Sequence, residues 1–183
     1  MSVRDIIVVG GSAGGVAATV DLVRALPPDL PAAVFVAVHV ARDSRGLLPE
    51  ILTRLGTVPA ELASDGAAVQ RGRILVAPPD RHLLLEDGVV RLHGGPRVNR
   101  FRPSIDVLFR SAAATYGPRV AAVILSGMLD DGALGLLDVK RKGGVAIVQD
   151  TIEAPFTGMP LSALDRVPVD HVLRVADIAA RLA

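Results

Sequence analysis

Four branched aliphatic residues in a row, Ile6-Ile7-Val8-Val9, run without a break into Gly10-Gly11-Ser12-Ala13-Gly14-Gly15. So short and β-branched an apolar run reads as a strand buried on both faces, and the segment after the glycines, residues 14–26, has helical periodicity. A buried strand that enters a tight turn and leaves as a helix is the opening half of a βαβ unit, which commits the chain to an α/β fold. The small residues of the turn leave no room for side chains and suit a backbone with positive φ.

The same alternation continues to the end of the chain. Strands are expected at residues 3–9, 33–39, 73–77, 120–125, 145–149 and 169–173, and helices at 14–26, 45–55, 104–116, 132–142 and 176–182. The exception lies at residues 81–93, where Leu83-Leu84-Leu85 and Val89-Val90-Arg91-Leu92 flank Asp87-Gly88, the signature of a β-hairpin. The expected fold is therefore a doubly wound, mostly parallel sheet with helices on both faces and a local antiparallel β-hairpin. Half of the residues are apolar but only 3% are aromatic, so Val, Leu, Ile and Ala must fill the core, as suits parallel strands under helices. With 183 residues and no repeat or low-complexity segment, residues 1–183 read as a single domain.

Composition removes several classes of function. Twenty basic residues against 19 acidic ones, a single Tyr and no Trp give no platform for nucleic acid. The absence of Cys excludes disulfides, thiolate catalysis and Cys-ligated zinc. No His-x-x-x-His or acidic cluster appears, so neither a metal nor a cofactor is expected. No run is long enough for a signal-peptide core or a membrane span, and the expected location is the cytoplasm, without membrane insertion.

Three strand ends carry the chemistry. Gly10-x-Ser12-x-Gly14 has the spacing of a nucleophile elbow. The second strand is apolar until His39, and the strand at 120–125 leads into Ser126-Gly127-Met128-Leu129-Asp130-Asp131-Gly132. In a parallel sheet all three fall on the carboxyl edge, where such folds bind ligands. A serine hydroxyl needs a base, an imidazole titrates near neutrality, and a carboxylate on its other nitrogen fixes the tautomer. Free N–H groups where the first helix begins, at Ala13, would stabilise an oxyanion by roughly 3–4 kcal/mol per donor. Each residue alone has a plainer reading: Ser12 in a phosphate-binding loop, His39 as a structural residue, Asp131 as a helix N-cap before Gly132. A dinucleotide fingerprint would want Gly at Ser12 and an acidic residue at His39.

These residues resemble the catalytic domain of the CheB-type protein-glutamate methylesterases of bacterial chemotaxis. The resemblance rests on the glycine-serine turn, on Val38-His39-Val40, and on Ala77-Pro78-Pro79-Asp80-Arg81-His82. It continues through residues 98–109, Leu125-Ser126-Gly127-Met128-Leu129-Asp130-Asp131-Gly132-Ala133 and Gly158-Met159-Pro160. It implies hydrolysis of glutamate γ-methyl esters on receptor helices, with glutamine deamidation as a second capability, through an acyl-enzyme. It implies Ser12 as nucleophile, His39 as base, Asp131 rather than Asp130 as orienting acid, and the Met128 N–H as oxyanion donor. Arg100 and Arg102 belong to the densest basic cluster and are candidates for docking acidic receptor helices.

The chain departs from the family in three places. The sequence starts directly at the catalytic strand, without the usual N-terminal receiver domain before it, which leaves either a piece of a longer chain or a stand-alone member for which a separate regulatory receiver protein is an expected partner. Phe101 stands where His is common, and Leu129 where Gly is common. A leucine held at φ > 0 would be strained there. A stand-alone relative acting as a signalling or binding module is the alternative that these departures leave open, and a nucleotide-binding α/β protein is another.

Overall fold

The computed structural model describes residues 4–183. Among the described residues nine strands occur in chain order: β1 (Ile6–Gly11), β2 (Ala33–Val38), β3 (Ala60–Leu62), β4 (Arg73–Val76), β5 (His82–Glu86), β6 (Val89–His93), β7 (Val120–Ile124), β8 (Val145–Gln149) and β9 (His171–Leu173). The α-helices are α1 (Gly15–Ala25), α2 (Leu48–Leu55), α3 (Ile105–Tyr116), α4 (Ala133–Arg141), α5 (Gly158–Arg166) and α6 (Val175–Leu182). Seven strands form a sheet in the order β3-β4-β2-β1-β7-β8-β9. All of its pairings are parallel.

Strand alternation explains the two layers. Ile6 and Val8 point into a core shared with Leu108 and Phe109 of α3, Leu136 of α4 and Met159 of α5. Ile7 and Val9 point the other way, toward Leu22 of α1, Leu52 of α2 and Ile178 of α6. Both faces of β1 are thus dry, which is why its sequence lacks polar alternation. At the amino edge Asp5, 2% exposed, receives Arg119 Nε at 2.8 Å and Arg71 Nη2 at 2.6 Å.

The doubly wound expectation holds, and the hairpin forms on Asp87 and Gly88 with φ of 46° and 83°. The hairpin does not join the main sheet. It is a separate two-stranded sheet packed on α3, where Leu85 N–H donates to Ser111 Oγ and Thr115 Oγ1 donates to Leu85 O. The first strand begins at Ile6 rather than at residue 3, which lies outside the described residues. Two elements were not anticipated from sequence. β3 is three largely exposed residues with no apolar run, and α5 opens on Gly158-Met159-Pro160, which reads as a breaker. Proline is tolerated there because first-turn N–H groups have no intrahelical partner.

Candidate active site

The central strand β1 has β2 on one side and β7 on the other, so three adjacent carboxyl ends meet at the point where the winding reverses. Backbone bonds stitch the loops that leave them. His39 N–H donates to Gly11 O at 3.1 Å, Leu125 N–H to Gly10 O at 2.9 Å, and Ser12 N–H to Ser126 O at 3.0 Å. Gly14 sits at φ 73°, the left-handed geometry that lets the chain turn from β1 into α1.

Ser12, His39 and Asp131 come together there. His39 Nδ1 lies 3.0 Å from Ser12 Oγ, and His39 Nε2 lies 2.8 Å from Asp131 Oδ2. The imidazole side chain is 7% exposed and the carboxylate fully buried. An ionised carboxylate only accepts hydrogen bonds, so Nε2 carries the ring proton and Nδ1 presents its lone pair to the serine hydroxyl. The ring is therefore turned relative to the serine-protease template, in which Nε2 faces the serine. Asp130, by contrast, points outward and pairs with Arg166 at 3.1 Å.

Asp131 is ionised because other elements supply its donors. Burial pushes its carboxyl up, but hydrogen bonds from His39, Asn99, Ile105 and Ser104 outweigh that and hold it below the usual range. Oδ1 accepts from Asn99 Nδ2 (2.9 Å), Ser104 Oγ (2.8 Å) and Asp106 N (3.2 Å), and Oδ2 also accepts from Ile105 N (2.7 Å). Ile105 and Asp106 open α3, whose N-cap residue Ser104 makes no cap bond of its own. Asp131 is thus a helix cap, but of α3 rather than of its own helix. The close approach requires Gly10, since a side chain there would collide with Ile105. A second buried carboxylate, Asp106, takes Asn99 Nδ2 at 2.6 Å and Gly135 N at 2.6 Å. Burial first, opposed by the Gly135 N–H and reinforced by the Asp131 charge, raises its pKa.

The backbone at 126–129 lies against the serine. A Cβ at Gly127 would come within 2.9 Å of Ser12 Cβ and would also strike Met159 Sδ. Gly127 N–H donates to Phe156 O at 3.0 Å and Gly127 O accepts from Met159 N at 2.9 Å, which pins this loop to the start of α5. Ser126 Oγ donates to Ala13 O at 2.8 Å and accepts from Phe156 N at 3.1 Å. Among the described residues neither Met128 N–H nor Ala13 N–H has a hydrogen-bond partner. Leu129 does occupy the left-handed region, at φ 65°, and its side chain is half exposed.

A strap at residues 98–102 closes the other side. Val98 and Phe101 pair backbone to backbone, with Asn99 and Arg100 at φ 50° and 73° between them. Phe101 lies flat on the His39 ring, with centroids 3.5 Å apart and planes within 7°. The guanidinium of Arg102 is engaged internally. It binds Asp80 Oδ1 at 2.6 Å and the carbonyls of Gly94 and Gly95, and it lowers the Asp80 pKa. Arg100 is exposed and, like Arg97, forms no ion pair or hydrogen bond among the described residues. An opening of about 330 Å³ beside His39 is lined by Arg42, Arg97, Arg100, Phe101 and Arg102. His82 Nε2 donates to Pro96 O at 2.9 Å and its Nδ1 accepts from Ser104 N at 3.2 Å, so it braces the strap. His93 Nδ1 accepts from Gly95 N, and His171 Nε2 accepts from Arg181.

Asn99, Ser104 and Asp106 carry no motif that marks them as functional, although Ser104 is a residue type that favours the N-cap position. Their task depends on Asp131, which is 32, 27 and 25 residues away. Among the described residues no group of His, Asp and Glu is arranged to hold a metal ion, and no helix is long and apolar enough to cross a membrane.

Residues 7–182 match the family model described as CheB methylesterase. The chain is 40% identical over 178 residues to a protein of Anaeromyxobacter dehalogenans named protein-glutamate methylesterase/protein-glutamine glutaminase 2, covering 97% of this chain and 52% of that one. With a protein of Leptospira interrogans the identity is 39% over 174 residues, covering 94% of this chain and 90% of its relative. The chain thus spans about half the length of the first relative and nearly all of the second. The crystal structure of the Thermotoga maritima CheB methylesterase catalytic domain matches with a TM-score of 0.93 at 32% identity, covering 100% of this chain and 98% of that one.

Proposed function

The chain belongs to the CheB methylesterase family, and from that premise we propose that residues 1–183 act as one catalytic domain hydrolysing glutamate γ-methyl esters on the cytoplasmic helices of chemoreceptors. The observation that carries the reading is the unbroken relay from Ser12 Oγ through His39 Nδ1 and Nε2 to Asp131 Oδ2, at 3.0 and 2.8 Å. Ser12 Oγ attacks the ester carbonyl while His39 Nδ1 takes its proton. Asp131 fixes the tautomer and stabilises the imidazolium that results. The unpartnered N–H groups of Met128 and Ala13 receive the developing oxyanion.

Collapse of the tetrahedral intermediate expels methanol, which takes its proton from His39 and leaves Ser12 acylated. A water, deprotonated by the same nitrogen, releases the free glutamate. With a glutamine side chain the leaving group is ammonia, and the remaining steps are the same, so one site serves both reactions. Arg100, with its free guanidinium, meets carboxylates on the receptor helix, while Arg102 holds the strap in register for that contact. The reaction takes place in the cytoplasm, and a phosphoacceptor receiver is its regulator.

The test is methanol release from a methylated receptor fragment, with Ser12→Ala run beside the native chain. Release that vanishes in the variant supports both the esterase and its nucleophile. Equal release from both removes Ser12 from the mechanism, and none from either, with a substrate proven competent, removes this substrate.

A further inference from the structure

The Phe101 ring covers one face of His39 in parallel contact, at 3.5 Å between centroids and 7° between planes. Two neutral rings prefer offset or edge-to-face packing, because their negative faces repel. Charging the imidazole reverses that sign, since a cation over an aromatic face is drawn to the ring quadrupole. The arrangement therefore suits the imidazolium better than the imidazole. In the relay described above, that charge appears only once Ser12 has lost its proton. An interaction made mainly in that state lowers the barrier, whereas one made equally in the ground state does not.

We propose that Phe101 is a positioning residue for His39, whose π face stabilises the imidazolium formed as Ser12 attacks; the proposal rests on reading His39 as the base. The strap is built to hold the ring there. Reciprocal Val98–Phe101 backbone bonds close the turn, Asn99 Nδ2 ties it to Asp106 and Asp131, and Arg102 anchors it to Asp80. The charges around His39 make such help useful. Arg42, Arg97, Arg100 and Arg102 line the adjoining opening and disfavour a further positive charge, although Asp80 pairs with Arg42 and Arg102. Asp131 opposes them, with Asp106 behind it across Asn99. Phe101 adds a second favourable contact.

The test compares kcat/KM against pH for the native chain, Phe101→Leu and Phe101→Tyr. Leucine keeps an apolar cover and removes the π face; tyrosine keeps the ring. At neutral and alkaline pH the leucine variant is expected to be about 3- to 10-fold slower, with its acid limb lower by about 0.5–1 pH unit. The two curves converge at acid pH, because there the free enzyme already carries the charged ring and loses the same interaction as the transition state. Tyrosine restores the native profile. A loss of equal size at every pH, or an acid limb that stays or rises, means that Phe101 only packs and overturns the proposal. Phe101→Met serves if leucine does not fold. Failure of the underlying reading is separate: it shows as turnover surviving in His39→Ala.

Discussion

Replacing Asp131 by asparagine is the usual conservative test of such a carboxylate, and the hydrogen-bond geometry decides in advance which way the new amide will face. Oδ1 serves Asn99 Nδ2, Ser104 Oγ and Asp106 N, while Oδ2 serves His39 Nε2 and Ile105 N. With the NH2 at the Oδ1 position, Ser104 turns its hydroxyl to accept, but Asn99 and Asp106 lose their acceptor. With the NH2 at the Oδ2 position, only Ile105 N is orphaned, because His39 moves its proton to Nδ1 and accepts at Nε2. An unsatisfied buried donor costs about 1–3 kcal/mol, so the second orientation prevails. That orientation also removes the lone pair facing Ser12. The expected outcome is a stability loss of about 1–3 kcal/mol, which a domain of ordinary stability survives, with turnover down by about 10⁴ from the wrong tautomer. Urea midpoints at constant m-value give the first quantity and methanol release the second. An asparagine variant as stable as its parent would refute the count of donors, and turnover within tenfold of the parent would refute the tautomer argument.

Further outcomes follow from other contacts. Hydrogen bonds from Arg119 and then Arg71, against burial, lower the Asp5 pKa from 3.8 to about 2. A depressed folded-state pKa contributes stability above the unfolded value, and this is lost as pH falls from about 4 to about 2. Because both arginines are half exposed, its size is about 1–2 kcal/mol. Asp5→Asn should abolish that part of the acid dependence in denaturation curves measured across this window, and an unchanged dependence would show that Asp5 does not contribute. Gly127→Ala puts a methyl group against Ser12 Cβ and Met159 Sδ; it should cut kcat by at least about 100-fold, as small misplacements of reacting groups do, and near-native turnover would show that the 126–129 loop is free to retreat. Ser12→Ala and His39→Ala should each remove most activity while the double variant loses little more. Additive losses would mean that the two side chains do not act as a unit.

The sheet was legible because each central strand is a short apolar run buried on both faces. Ser12 and His39 each lie one residue past such a run, at Gly11 and Val38, so their edge of the sheet could be read directly. The hairpin was legible from Asp87-Gly88 set between two short apolar runs. What sequence could not show was the second use of each residue. Asp131 looked like a cap for the helix that follows it, and instead caps α3 from 26 residues away. Asn99 and Phe101 sit in a turn with two positive φ values that no glycine announces, and their partners Asp131 and His39 come from other strand ends. Arg102 read as a candidate for docking acidic helices, yet its guanidinium closes on Asp80 and two carbonyls. Hydrogen bonds between loops have no periodicity, so composition and pattern do not reveal them.

The exposed hairpin tip at Asp87-Gly88 divides the site as well as the chain. Ser12 and His39 lie before it; the 126–129 loop, Asp131 and the strap lie after it, with His39 and Asp131 92 residues apart. A backbone cut at that tip would yield two halves, one holding a serine with an unoriented imidazole and the other a carboxylate with nothing to orient. On the proposed relay neither half would be active alone, and turnover would require β7 to pair beside β1. If the proposed esterase activity holds, methanol release from the rejoined halves would report their reassembly.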